Sequence, residues 1–242
     1  MMKDSQDAFG HGIYDHFKGI DVDEVIERDD GYVDVSLGPK SYLSKFEDWP
    51  VHEKKAMTYA KGRVLDIGCG GGRHAVHLQS KGLDVLGIDN SPMALKVCRE
   101  RGLRKTKLLG VTQITKELGV FDTIMMMGNN FGLVANPKRA RWLLRKFRGI
   151  TTEDAHIIAE TMNPYRTDKE EHLAYHRDNK RRGRMGGQVR IRCRYKRYMT
   201  PWFDYLFVSK DELRGILEGT GWNVKKFLNS NYGSYIMVLE KE

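Results

Sequence analysis

Asp66, Gly68, Gly70 and Gly72 form an Asp-x-Gly-x-Gly-x-Gly spacing, the most chemically specific feature of this 242-residue chain. The apolar pair Val64-Leu65 leads into it and a helical pattern leaves it, so a buried strand turns through glycines into a helix. Glycine suits such a turn because the backbone bends sharply and a ligand can approach without a Cβ in the way. A dinucleotide fingerprint needs a small residue where Arg73 stands, and a P-loop needs Gly-Lys-Ser/Thr, which is absent. The Asp66 carboxylate repels a pyrophosphate and attracts a cation. A second carboxylate, Asp89, stands 17 residues after Gly72 in Gly87-Ile88-Asp89-Asn90-Ser91-Pro92. At a strand end, such a group can accept both hydroxyls of a ribose, or simply cap the helix that Pro92 opens. Met127-Gly128-Asn129-Asn130 closes a further apolar strand. Its asparagine amides can orient a ligand but cannot act as general bases.

The elements that must position these residues follow from periodicity. Strands are expected at Arg63–Ile67, Asp84–Ile88, Thr106–Leu109, Phe121–Met127 and Ala155–Glu160, alternating with helical stretches at Gly72–Lys81, Pro92–Arg101 and Pro137–Ile150. That alternation is the signal of a parallel βαβ sheet. A capping-box helix is expected at Ser209–Glu218, followed by a hairpin of Trp222–Leu228 and Tyr232–Leu239. Two regions fall outside the alternation. Residues 1–60 are acidic and aromatic, with Asp21–Glu27 the best helix, and residues 161–208 separate the fifth strand from the last helix.

Composition bounds the class. Forty per cent hydrophobic and 30% charged residues exclude a disordered chain. No apolar run approaches the roughly 18 residues of a spanning helix, and the first seven residues carry no secretory core. Three cysteines without metal-ligand spacing fit a reducing cytoplasm, and no metal site or membrane partner is expected. The net charge of +9 resides in residues 177–197, which hold ten basic residues and one acid; the rest has 31 of each. Within that stretch Arg190, Arg192, Arg194 and Lys196 alternate with Ile191, Cys193 and Tyr195, so the cations share one face of a strand. That face can meet an anion, or only solvent at a sheet edge.

Together, the residues from Asp66 to Asn130 resemble the class I S-adenosylmethionine-dependent methyltransferases, strongly over about residues 60–160. The resemblance implies a Rossmann-like α/β fold with a seven-stranded mixed sheet in the order 3-2-1-4-5-7-6, the last strand antiparallel. An N-terminal cap (1–60) would precede a methyltransferase domain (61–242) carrying a basic β-hairpin inserted at about 161–208. The cofactor would be S-adenosyl-L-methionine and the product S-adenosyl-L-homocysteine. By position, Asp66, Gly68, Cys69, Gly70 and Gly72 would surround its methionine part, with His74 lining the pocket. Asp89 would hold the ribose, and Asn90 and Met93 would lie near the adenine, with Thr112 or Gln113 after the third strand. Met127, Gly128 and Asn129 would face the sulfonium.

The acceptor side carries fewer signals. Neither the amino-methylating DNA motif nor the paired-cysteine C5-cytosine motif is present. His16, Tyr42 and His176 are the candidates for a general base, and the sequence does not choose among them. Tyr14, Asn130, Arg192 and Arg194 are the substrate candidates; Tyr14 and Tyr42 read first as buried cap aromatics. The favoured acceptor is a small, anionic metabolite. The alternatives are RNA held by the basic hairpin, and a module that binds the cofactor without catalysis.

Overall fold

A computed structural model describes residues 2–36 and 38–242. In chain order the elements are α1 (Ala8–Phe17), β1 (Glu24–Arg28), β2 (Val33–Ser36), α2 (Gly38–Tyr42), α3 (Val51–Met57), β3 (Arg63–Ile67), α4 (Arg73–Ser80), β4 (Asp84–Asp89), α5 (Pro92–Glu100), β5 (Lys105–Leu108) and β6 (Phe121–Met126). Then follow α6 (Pro137–Arg148), β7 (Thr151–Met162), α7 (Glu170–Arg181), β8 (Gln188–Tyr195), β9 (Tyr198–Met199), β10 (Phe203–Leu206), α8 (Lys210–Leu217), β11 (Trp222–Asn229) and β12 (Ser234–Lys241).

The main sheet runs β11-β12-β7-β6-β3-β4-β5. Numbered within itself, that is 3-2-1-4-5-7-6, with β12 antiparallel to β7 and the five strands from β7 to the β5 edge parallel. Period-2 alternation splits the core into two layers. Leu65, Ile67, Ile124 and Met126 face α6 and α8, through Leu143, Phe147, Leu213 and Ile216. Val64, Met125 and Val85 face α3, α4 and α5, through Ala56, Leu78 and Leu95. Each large apolar side chain so buried contributes about 1.5–3 kcal/mol. The helix ends match their sequence signals. Ser91 Oγ accepts from Ala94 N at 2.9 Å ahead of Pro92, and Ser209 and Glu212 exchange bonds of 2.8 and 3.2 Å.

The structure differs from expectation outside this sheet. The N-terminal helix lies at Ala8–Phe17, whereas the segment read as helix, Asp21–Glu27, instead runs into strand β1. Its partner explains why. β1 pairs antiparallel with β8, Ile26 opposite Cys193, and with β2 on its other edge. The cap and the insertion are therefore one antiparallel sheet, β10-β8-β1-β2 with β9 on β8, rather than a cap and a separate hairpin. Tertiary pairing overrides local propensity here. The alternation in β8 holds from Arg190 to Arg194, but Lys196 sits in the following turn at φ 50°. The basic segment from Arg177 onward begins inside α7.

A single carboxylate ties the second sheet's first helix to the main domain. Asp7, 2% exposed, accepts from Gly10 N at the start of α1 (3.0 Å). It also accepts from Ser91 Oγ (2.9 Å) and Met93 N (3.2 Å) at the start of α5. It thus satisfies donors of two helix N-termini at once, where the helix dipoles favour a negative charge. Asp7→Ala should cost about 1–3 kcal/mol, lowering the Tm by about 2–4 °C per kcal/mol at this size. Protease cleavage within residues 1–60 should quicken, and an unchanged Tm with unchanged cleavage would contradict this anchoring role.

Candidate active site

The crevice opens where the chain order of the sheet reverses, at the carboxyl ends of β3 and β6, the place where open α/β sheets bind ligands. Gly68, Gly70 and Gly72 all hold positive φ (69°, 54° and 76°), which explains the glycine spacing. Gly68 N and Cys69 N donate to Ile88 O, locking the turn to β4. Asn130 Nδ2 donates to Ile67 O (3.2 Å) and Gly68 O (2.8 Å), so it shapes the turn rather than facing the cavity as a substrate residue. Above the turn there is room. A Cβ on Gly70 would meet only Ile13 Cδ1, at 3.8 Å, and one on Gly128 would meet nothing within 4 Å.

Carboxylates surround that space. Asp89 accepts from Gly70 N and Ser91 N, both at 2.9 Å, and burial holds it above the usual carboxylate range. Asp66 is 3% exposed; burial and then the neighbouring Asp89 push it up to about 7, against a pull from Arg73. The residues present therefore fit a cationic ligand: open space over two glycines, edged by acids that gain from a positive charge.

Beyond Gly128 lies a cavity of about 530 Å³. Its walls include Tyr42, Asp48, Glu53, Arg73, Asn129 and Glu160, with Ser36, Ser41 and Ser44 nearby. Five segments supply them, from the β2–α2 region to the end of β7. Arg73 is its one cationic lining residue among the described residues, and it is engaged: Nη2 lies 2.9 Å from Glu53 Oε2. Glu160 Oε2 accepts from Gly128 N at 2.9 Å. His52, Glu53 and Glu160 bring ligand atoms within 4.8 Å of one another. Glu53 Oε2 is shared by Arg73 and by His74 Nε2 at 3.2 Å, whereas His52 Nε2 has no hydrogen-bond partner.

Several buried side-chain polar atoms lack a partner. Among the described residues they are Glu24 Oε1 and Oε2, His52 Nε2, Asn129 Oδ1 and Thr161 Oγ1. Asn129 and Glu160, which precedes Thr161, line the cavity, and His52 precedes the lining Glu53. Glu24 lies behind the lining pair Gly38 and Tyr42: a Cβ on Gly38 would stand 2.6 Å from Glu24 Oε2 and 2.8 Å from Tyr42 Oη. Buried polar groups are normally paired, so Asn129 Oδ1 on the cavity wall and His52 Nε2 beside Glu160 leave two unmet partners for a polar ligand.

Several sequence expectations need correction. Arg192 (2.5 Å) and Arg194 are both bound to Glu27 on β1, outside the cavity wall, with Arg192 also over the Trp202 ring at 4.5 Å. Tyr14 lies under Lys96, 4.5 Å from its ring centre, in the α1–α5 contact. His176 packs against Tyr165 on α7, and neither it nor His16, in the last turn of α1, lines the cavity. Tyr42 does line it, but burial and then Glu24 push its phenol well above the ordinary value, so at neutral pH it is a donor and not a base. His74 is buried between Glu53 and Trp49 rather than lining the cavity. Burial lowers it to about 4.

The remaining cofactor candidates keep ordinary structural partners. Met93 N is held by Asp7, Cys69 Sγ lies 3.8 Å from Cys98 Sγ, and Met127 is buried in the core. Asn90 follows Asp89 in the bend ahead of α5. Thr112 and Gln113 form a short 3₁₀ turn, Gln113 Oε1 accepting from Gly110 N and Thr112 O from Lys146 Nζ. Glu24, His52, Glu53, Arg73 and Glu160 were not expected. Their only sequence signal was Arg73, which stood out as the residue that breaks a dinucleotide fingerprint.

Comparison with known proteins agrees with this architecture. Residues 64–152 match a family described as a methyltransferase domain. A Bacteroides fragilis S-adenosylmethionine-dependent methyltransferase, solved with S-adenosyl-L-homocysteine, superposes with a TM-score of 0.83 at 22% identity. That match covers 100% of this chain and 97% of the other. The strand order and the superposition show the fold of these methyltransferases, and residues 64–152 are a methyltransferase domain by similarity. Among curated proteins it is similar to a glycine/sarcosine N-methyltransferase of Halorhodospira halochloris, 27% identical over 62% of this chain and 56% of that one. A protein of the same name from Aphanothece halophytica is 29% identical over 46% and 44%. The chain spans about half the length of these curated relatives. No helix among the described residues is long and apolar enough to cross a membrane.

Glu24 gives a pH test of the site. Burial pushes its carboxyl up to about 8. The unfolded chain loses that proton near pH 4.5 and the folded chain keeps it, so stability falls as pH rises from about 4.5 to 8. Glu24→Gln should flatten that fall and raise the Tm relative to the parent most at pH 8. Thermal denaturation across pH 5–8 checks it; parallel curves would contradict a buried, protonated Glu24.

Proposed function

We propose that the protein transfers a methyl group from S-adenosylmethionine to the nitrogen of a small amine. One observation carries the choice of acceptor: the cavity beyond Gly128 is lined by three carboxylates, Asp48, Glu53 and Glu160, and by the unpartnered acceptor Asn129 Oδ1. A ligand rich in N–H donors satisfies them, whereas an anion would face Asp48, Glu53 and Glu160 with Arg73 already engaged. The anionic acceptor favoured by the sequence therefore gives way to an amine. An attached carboxylate would have to share the Arg73 guanidinium with Ser44 and Glu53. The names of the curated relatives, glycine/sarcosine N-methyltransferases, fit such an acceptor. RNA draws less support, since Arg190, Arg192 and Arg194 are matched by Asp204 and Glu27.

S-adenosylmethionine, when bound, supplies an electrophilic methyl carbon on a sulfonium. On this reading Asp66 and the glycine turn hold its cationic methionine end, and Asp89 its ribose. Asn90, Met93, Thr112 and Gln113 border the adenine, while Gly128 and Asn129 flank the transferring methyl. The chain's own contribution is alignment and exclusion of water. Cap residues Ile13, Tyr42 and Leu43 close over the glycine turn, with Tyr42 O 3.0 Å from where a Cβ on Gly71 would stand. Holding nitrogen and methyl in line converts a bimolecular encounter into a positioned one, the largest rate term such a site can supply.

Two measurements test the proposal. Labelled methyl from S-adenosylmethionine should enter glycine or sarcosine and not glycolate or an RNA pool; label in glycolate or RNA alone would overturn the amine acceptor. Asp66 must be ionised to gain from a cation, so cofactor affinity should fall by up to about tenfold per pH unit below about 7 and level off above it. Asp66→Asn should bind more weakly and lose that slope. Calorimetry showing the same slope in the variant would contradict the assignment.

A further inference from the structure

Resting on the amine reading, a further role follows from a gap between two side chains of the cavity. His52 Nε2 is buried without a partner and lies 3.9 Å from Glu160 Oε1. Glu160 is fixed by its other oxygen on Gly128 N, at the point where the reacting methyl would sit. A separation of 3.9 Å is too long for a direct hydrogen bond. It is the span that one nitrogen can bridge, placed about 2.8 Å from each atom. Direct pairing is prevented by anchoring on both sides. His52 is held on α3, whose next residue, Glu53, is clamped by Arg73 and His74, and Glu160 is held on β7 between β6 and β12.

We propose that His52 and Glu160 form the subsite that seats the acceptor's amino group, with His52 Nε2 taking the proton the amine must lose before it can accept a methyl. A small amine enters mostly as the ammonium form, which has no lone pair to donate. In the subsite the ammonium gives one proton to neutral His52 and keeps a hydrogen bond to the Glu160 carboxylate. The freed lone pair forms the new N–C bond as the C–S bond breaks, its electron pair remaining on sulfur. The sulfonium becomes a neutral thioether, the product nitrogen carries the positive charge beside Glu160, and His52 returns its proton to solvent.

The groups facing the gap's carboxylates are Arg73, a cation, and His74, which burial keeps neutral, both from α4; the carboxylates are Glu160 from β7 and Glu53 on the same helix as His52. Because Arg73 lies on Glu53, Glu160 is the carboxylate left to steady the imidazolium. The residue pair is specific to an amine. A hydroxyl in place of the amino group has one donor, and cannot both give a proton to His52 and bond Glu160.

His52→Gln keeps the side chain's polarity but removes a titrating base. It should lower kcat/KM for glycine and sarcosine at pH 7 by about a hundredfold, the scale of a lost general base. S-adenosylhomocysteine affinity by calorimetry should stay unchanged. The deficit should shrink as pH approaches about 10, where an alkyl ammonium loses its proton unaided. Glu160→Gln should instead raise KM for the amines, with a smaller change in kcat. Undiminished glycine turnover with an unchanged pH profile in His52→Gln would overturn this role and leave a bridging water as the occupant of the gap. An equal loss of cofactor affinity would overturn it too, as a structural effect. If the parent protein methylates glycolate but no amine, the acceptor reading itself fails and this subsite fails with it.

Discussion

The cost of taking carboxylates out of water organises this structure. Asp7, Glu24, Glu53, Asp66 and Glu160 are all less than 9% exposed, and four of them belong to the crevice and its cavity. An isolated buried charge is prohibitive, so each must be neutralised, paired or bonded to N–H groups. The protein uses each route. Asp7 and Glu160 accept from backbone donors, and Glu53 pairs with Arg73 and His74. Glu24 and Asp66 are pushed toward protonation by burial. Asp66, at the proposed methionine end, and Glu160, beside the proposed methyl-transfer position, both gain when positive charge arrives. A sulfonium cofactor and an ammonium acceptor both bring it.

Two distant parts of the chain collaborate to build the enclosure. β1 and β2 come from the first 36 residues and β8 to β10 from residues 188–206, yet they form one sheet. The ion pairs from Glu27 to Arg192 and Arg194 and from Asp15 to Lys196 stitch the acidic N-terminal segment to the basic insertion. The excess of positive charge in residues 177–197 thus serves in part to join two pieces of the same protein. Asp7 then fastens α1 to α5, placing Ile13, Tyr42 and Leu43 over the glycine turn.

The main sheet was legible because its signals are local. Arg63–Ile67, Pro92 after its Ser91 cap, and Ser209 with Glu212 each carry their own pattern of apolar spacing or capping within a few residues. The glycine turn was legible because positive φ at Gly68, Gly70 and Gly72 leaves little choice of residue. The second sheet was not. Glu24–Arg28 has no strand signal strong enough to outweigh its polar, helix-tolerant composition, and becomes a strand because β8 waits beside it. The cavity beyond Gly128 was obscured for the same reason. His52, Arg73, Asn129, Glu160 and Glu24 come from separate segments, and no spacing along the chain links them. Arg192 and Arg194 drew attention as cations in alternation, a pattern that says which residues share a face but not what faces them.

A crystal structure with S-adenosylhomocysteine and sarcosine tests the central claim most directly. The thioether sulfur should lie near Gly128 and Asn129, the methionine end over Gly70 beside Asp66, and the sarcosine nitrogen between Glu160 and His52, facing the sulfur. A cofactor seated elsewhere, or an amine bound away from Glu160 with a water in the gap, would contradict it.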